Sequence, residues 1–119
     1  MSQEAFVRNV FASIDAMDSA EFVTHITPNG KFTFGNHPTA EGREAIKGTV
    51  DYVFTTFKGL SHTITGLWEQ GDDIIVRLSV EYTRHDDNKV TLPCVNIFKM
   101  KDGLIDDYRI YMDIGPVYA

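Results

Sequence analysis

The sequence predicts an α+β domain, three helices first and a curved antiparallel sheet after them. Up to about residue 58 apolar side chains recur at helical spacing, and from Ser61 to Ile114 they alternate with period two. The second region is cut by short polar turns, Gln70-Gly71-Asp72, His85-Asp86-Asp87-Asn88 and Lys101-Asp102-Gly103, which make successive strands antiparallel neighbours. Helices grouped ahead of strands indicate α+β rather than alternating βα units. At 119 residues, with no repeat or low-complexity linker, the chain reads as one cone-shaped α+β domain.

The elements follow from local chemistry. Phe6, Val7, Val10, Phe11, Ile14 and Met17 predict a helix over Gln3–Met17, with Ser2 as a candidate cap. Asp18-Ser19-Ala20-Glu21 has the spacing of a capping box for a short second helix through His25, stopped by Pro28 and Asn29-Gly30. Lys31–Phe34 reads as a brief strand and Gly35-Asn36-His37-Pro38 as a loop. Glu41 and Glu44 mark the start of a third helix, with Ile46, Val50, Val53, Phe54 and Phe57 along one stripe. Strands are expected over His62–Glu69, Asp73–Arg84, Lys89–Met100 and Leu104–Ile114. A four- or five-stranded sheet wrapped around the long helices would leave a hollow at its open end.

Composition narrows the function. With 43% hydrophobic and 24% charged residues the chain is an ordinary globular sequence. A net charge of −6 argues against a nucleic-acid partner, which would need clustered Lys and Arg. No apolar run approaches the ~18 residues of a membrane span. The opening MSQEAFVRNVF carries Glu4 and lacks a basic-then-apolar signal, so a cytoplasmic location is expected. The single cysteine, Cys94, excludes an internal disulfide and Cys-rich zinc motifs, and it has no basic sequence neighbour to activate it. His25, His37, His62 and His85 share no metal-ligand spacing. No metal or cofactor is implied.

The last strand holds the main ambiguity. Tyr108, Ile110, Met112 and Ile114 point one way, and Asp107, Arg109, Tyr111 and Asp113 the other. Either row could face the hollow. The expectation adopted is that the Asp113 row faces inward, which leaves the Tyr108 row as an exposed apolar patch and implies a homodimer through the outer sheet face.

The chain resembles the SnoaL-like members of the nuclear transport factor 2-like superfamily. The resemblance rests on the element order and on three stretches: Phe34-Gly35-Asn36-His37-Pro38 with Glu41-Gly42-Arg43-Glu44-Ala45, Thr91-Leu92-Pro93, and Asp102-Gly103-Leu104-Ile105 with Tyr108 to Asp113. It implies an α+β cone whose pocket serves isomerases, cyclases, epoxide hydrolases, dehydratases or plain binders. Limonene epoxide hydrolases are the nearest chemical parallel. By that resemblance Asp113 matches the buried last-strand Asp and Asn36 the water-holding Asn. The family's Tyr position is Phe34 here, and its middle-strand Arg-x-Asp is replaced by Arg77-Leu78-Ser79.

Candidate residues follow. Asp113 is the expected general acid or base, since a carboxyl in an apolar hollow is pushed toward a useful pKa, and Asn36 is its expected catalytic partner unless it is only a turn residue. Tyr111, Phe34, Glu81, Trp68, Phe54 and Arg109 are candidate substrate-binding side chains. For Arg109 and Glu81 the simpler reading is surface pairing, and for Trp68 and Phe54 it is core. His62 and His37 are the histidines placed to reach the mouth. The expected function is acid–base chemistry on a small, largely apolar ring compound. The alternative is a non-catalytic binding or dimerisation module on the same fold.

Overall fold

The computed structural model describes residues 3–119. Among them, helices α1 (Glu4–Asp15), α2 (Ser19–Thr24), α3 (Arg43–Phe54) and α4 (Gly115–Tyr118) accompany strands β1 (Ile26–Phe34), β2 (Ala40–Glu41), β3 (Gly59–Gln70), β4 (Asp73–Thr83), β5 (Lys89–Lys101) and β6 (Leu104–Tyr111). The strands form one curved, unclosed sheet in the order β2-β1-β6-β5-β4-β3. The predicted α+β arrangement is therefore present, with α1, α2 and α3 covering one face of the sheet.

Helix α1 stops two residues before the expected Met17, which takes a positive φ of 55° and turns the chain into α2. The expected cap at Ser2 lies outside the described residues. Asp18 caps α2 as expected, accepting from the Glu21 amide at 3.0 Å. The reciprocal half of the box does not form, because the Glu21 carboxylate lies 3.7 Å from His25 Nε2 instead. Gly42, at φ 88°, precedes α3 and donates its N–H to Gly30 O, a backbone geometry suited to glycine.

Strand β1 begins five residues before the expected Lys31 and pairs in parallel with β6, through Ile26↔Ile105 and Phe32↔Tyr108. Pro28 and Asn29 sit within the irregular register between those pairs, where a missing donor is tolerated. The sheet is thus mixed, with six strands rather than four or five. Strand β6 ends at Tyr111, short of the expected Ile114, and the chain closes in α4.

Register decides the faces. Directly paired residues share a side of the sheet, so Ile74↔Phe98, Phe98↔Tyr108 and Tyr108↔Phe32 form one row. That row faces the helices. Phe98 packs at 4.5 Å from Tyr108 and 6.1 Å from Phe11, and Phe22 meets Tyr108 edge-on at 5.4 Å. This corrects the expected orientation of the last strand: Tyr108, Ile110 and Met112 look inward, and Asp107, Arg109 and Tyr111 look out. The reason is energetic, because the helix stripes require apolar surface opposite them and the Tyr108 row supplies it.

Phe98 is fully buried between α1 and β6. Phe98→Ala should cost about 3–5 kcal/mol, read from the urea midpoint. Thr91→Ala, on the exposed face of the same strand, should stay within about 0.5 kcal/mol.

Candidate functional site

The curved sheet and the helices enclose an apolar chamber near the wide end of the cone. Phe22 from α2, Val50, Val53 and Phe54 from α3, and Phe32, Phe34, Leu60, Ile110 and Met112 form much of its wall. Its free volume is about 50 Å³. Outside it lies a cleft of about 590 Å³ bounded by His37, Pro38, Thr49, Tyr52, Thr56, Ile114 and Tyr118. The two spaces share Phe32, Phe34 and Val53 as walls. The C-terminal turn that brings Ile114 and Tyr118 to the cleft is held by Arg84, whose Nη1 donates to Val117 O at 3.0 Å, and by a 3.0 Å hydroxyl contact between Tyr118 and Thr56.

Few polar groups line the chamber, and each has an identifiable placement. His62 belongs to the inward row of β3 with Leu60 and Ile64. Its Nδ1 lies 2.6 Å from Asp15 Oδ1, and its backbone N–H donates to Asp15 Oδ2 at 3.0 Å. The ring stacks on Phe11 at 4.9 Å, and the side chain is only 8% exposed. The Asp15 carboxylate holds the ring proton at Nδ1, so Nε2 carries the free lone pair. Among the described residues Nε2 has no hydrogen-bond partner. Asp15 closes α1 four residues after Phe11, which puts it on the same helix face.

A second polar group sits across the chamber. Cys94 Sγ donates to Asn96 Oδ1 at 3.3 Å, and Asn96 Nδ2 donates to Tyr108 Oη at 3.0 Å. Tyr108 therefore accepts, and its own proton has no acceptor among the described residues. Tyr82 Oη donates to Met112 Sδ at 3.4 Å. These are neutral groups held neutral by burial. Desolvation pushes the Cys94 thiol up to about 12 and raises both the Tyr82 and the Tyr108 phenols above their ordinary value. A thiolate nucleophile at Cys94 is thus disfavoured.

The residues expected from sequence divide sharply. Phe34 and Phe54 line the chamber. Asp113 does not: it is exposed, and its carboxylate accepts from the Gly115 amide at 2.9 Å. The expected burial of Asp113 is corrected by the same face reversal that turns Tyr108 inward. Asn36 is also exposed, and only the neighbours His37 and Ile114 of this pair reach the outer cleft. Tyr111 points outward at 50% exposure. Arg109 pairs with Asp107 at 3.2 Å, and Glu81 with Lys89 at 3.4 Å, both on the outer face. Trp68 lies outward as well, with the Arg77 guanidinium 5.3 Å from its ring. Asp15, Asn96, Tyr82 and Tyr108 were absent from the expected site. Their signal was present in the sequence: each occupies an inward position of an apolar helix stripe or strand row.

Because the three buried acids keep their protons longer in the folded state than in the unfolded one, they stabilise the fold fully below pH 9, and that contribution is lost as pH climbs toward about 12. A spectrophotometric titration of the buried phenols, followed beside circular dichroism, checks this. Tyr82 and Tyr108 should ionise only together with unfolding. Ionisation of Tyr82 and Tyr108 with the fold intact would contradict the burial described.

Residues 7–108 match the family described as SnoaL-like domain. Solved structures with the same fold include a putative SnoaL-like polyketide cyclase from Jannaschia sp. CCS1, 19% identical, with a TM-score of 0.83 and coverage of 97% of this chain and 88% of that one. TerC, crystallised with polyporic acid, is 21% identical, with a TM-score of 0.84 and coverage of 96% and 93%. SalBIII, an epoxide hydrolase/cyclase-like enzyme of pyran ring formation in salinomycin, is 20% identical, with a TM-score of 0.81 and coverage of 95% and 92%. No curated protein sequence matches the chain. No helix among the described residues is long and apolar enough to cross a membrane. With the inward Tyr108 row, the enclosed chamber and a match over most of its length, this chain belongs to the SnoaL-like domain family.

Proposed function

We propose that this protein is an enzyme that moves protons on a small, uncharged, largely apolar ring compound, with His62 as general base and acid. The observation that carries this reading is the His62–Asp15 pair, 2.6 Å apart, with the imidazole set in a largely apolar chamber. In this reading the role first expected of Asp113 passes to His62, because Asp113 faces solvent.

The chemistry follows from the geometry. Nε2 takes a proton from a carbon beside a carbonyl, and the C–H electron pair moves into the carbonyl as an enolate. Asp15 stabilises the imidazolium, and the Tyr108 hydroxyl, whose proton is free, donates to the enolate oxygen. Where a C=C adjoins the enolate, return of the proton from Nε2 to its far carbon shifts the double bond and isomerises the substrate. Where a second carbonyl is in reach, attack of the enolate carbon breaks its C=O π bond, that oxygen takes the proton from His62, and a ring closes. The ring-forming context of SalBIII is in keeping with this class of substrate.

Hydrogen–deuterium exchange into neutral ring ketones such as acetophenone tests the reading. His62→Asn should slow exchange by ~10²–10⁴-fold, and Asp15→Asn should slow it too, both variants remaining folded. A folded His62→Asn that exchanges at the wild-type rate removes His62 from the chemistry. Binding without exchange in the wild type would favour the non-catalytic module.

The same reading includes a homodimer, formed by a different patch from the one the sequence suggested. Ile75, Val95, Ile97, Trp68 and Tyr111 cluster on the outer face of the sheet. Trp68 lies flat across Gly66, where an added Cβ would come within 2.4 Å of the indole. A face of this kind calls for a cover of ~800 Å² per partner, and a two-fold pairing provides it. Light scattering at micromolar concentration should give a dimer, and Ile97→Lys a folded monomer. A monomeric wild type would end this part of the reading.

A further inference from the structure

The chamber and the cleft differ in size by more than their shared walls suggest, and neither contains a Lys, Arg, Asp or Glu facing the chamber. The inner space, about 50 Å³, is well below the ~150 Å³ cavity that holds a benzene ring, yet it exceeds the ~10–15 Å³ needed for one water. A carbonyl or hydroxyl group with its neighbouring carbon fits there, and an aromatic ring does not. The cleft, about 590 Å³ with Tyr52, Tyr118, Phe34 and Pro38 around it, has room for a ring body. A lining without Lys or Arg disfavours a carboxylate or phosphate in either space, since no permanent cation offsets the desolvation of such a group.

We infer that the substrate is stepped: a flat, uncharged ring body rests in the outer cleft, and one short carbonyl- or hydroxyl-bearing appendage alone reaches His62, with Phe34 setting the size limit between the two. The inference rests on the proposed acid–base role for the inner chamber, but it concerns who fits rather than what reacts. Of the two β1 side chains that both spaces share, Phe32 is locked in the buried aromatic row, whereas Phe34 is half-buried at the end of the strand, with His37 edge-on at 6.2 Å. Phe34 acts as a specificity-determining residue, and the reacting atoms are confined to the appendage or to the ring carbon that bears it.

Three probes separate the possibilities, with ¹⁵N and ¹H NMR of the His62 imidazole and of Tyr52 and Tyr118 as readout. Acetophenone, with its short carbonyl appendage, should shift His62 and the cleft tyrosines together. Benzophenone, whose carbonyl carries a second ring, should shift the tyrosines and leave His62 unmoved. Benzoate, with the same ring but a charge, should bind at least about tenfold more weakly than acetophenone. Phe34→Ala should let benzophenone reach His62, and Phe34→Leu provides a milder opening should the alanine variant lose its fold. Benzophenone shifting His62 in the wild type as strongly as acetophenone overturns the inference, as does tight benzoate binding or the absence of any shift at millimolar acetophenone. Contact at His62 without deuterium exchange would instead sink the acid–base reading and leave the stepped site standing.

Discussion

The arrangement of this molecule depends on a constraint of strand pairing: residues opposite one another across a ladder share a face, so fixing one row fixes every row beside it. Here the fixed row is Ile74–Phe98–Tyr108–Phe32, clamped against Phe11 and Phe22. Three aromatic rings of that row and two from the helices bury far more apolar surface than any arrangement of the Asp107–Arg109–Tyr111 row could. Reversing β6 would place charges under the helices and expose Tyr108. The energetic difference is many times the few tenths of a kcal/mol attached to the outer ion pairs.

That choice of face also determines which chemistry the hollow can hold. With the charged row outside, the interior keeps only neutral or paired polar groups, each with a local partner: His62 with Asp15, and Asn96 with Cys94 and Tyr108. The pair at His62 bridges the last turn of α1 and edge strand β3, two elements far apart in sequence, so its geometry is a product of packing. An imidazole held by a carboxylate and stacked on Phe11 is oriented before any ligand arrives. Phe34, which stands where the epoxide hydrolase parallel has a Tyr, offers no hydrogen bond and forms a wall shared by chamber and cleft.

Much of the fold was legible in local pattern. The stripe through Val7, Val10 and Phe11, the Asp18 cap and the period-two runs after Ser61 all specify their elements with near neighbours alone, and the family resemblance was carried by turns and glycines that local geometry demands. Less legible were elements completed by distant partners. Strand β1 extends back to Ile26 because β6, some eighty residues later, supplies its hydrogen bonds, and neither Pro28 nor Asn29 signals a strand by itself. The short α4 follows from Arg84 gathering the C-terminal carbonyls, a contact between segments with no shared local motif.

The sequence by itself determined the class of fold, the helix caps and turns, and the presence of two alternating rows on every strand, because these rest on interactions within a few residues. It could not determine which row of β6 faces inward, since Tyr108-Ile110-Met112 and Asp107-Arg109-Tyr111 are both consistent with period two. Only the tertiary structure decided that, through register against β5 and the demand of three helix stripes for apolar cover. The site moved with it. Asp113 was conspicuous in the sequence as a lone acid at the end of a strand, while Asp15 and His62 meet across 47 residues and become a pair only when α1 packs on β3.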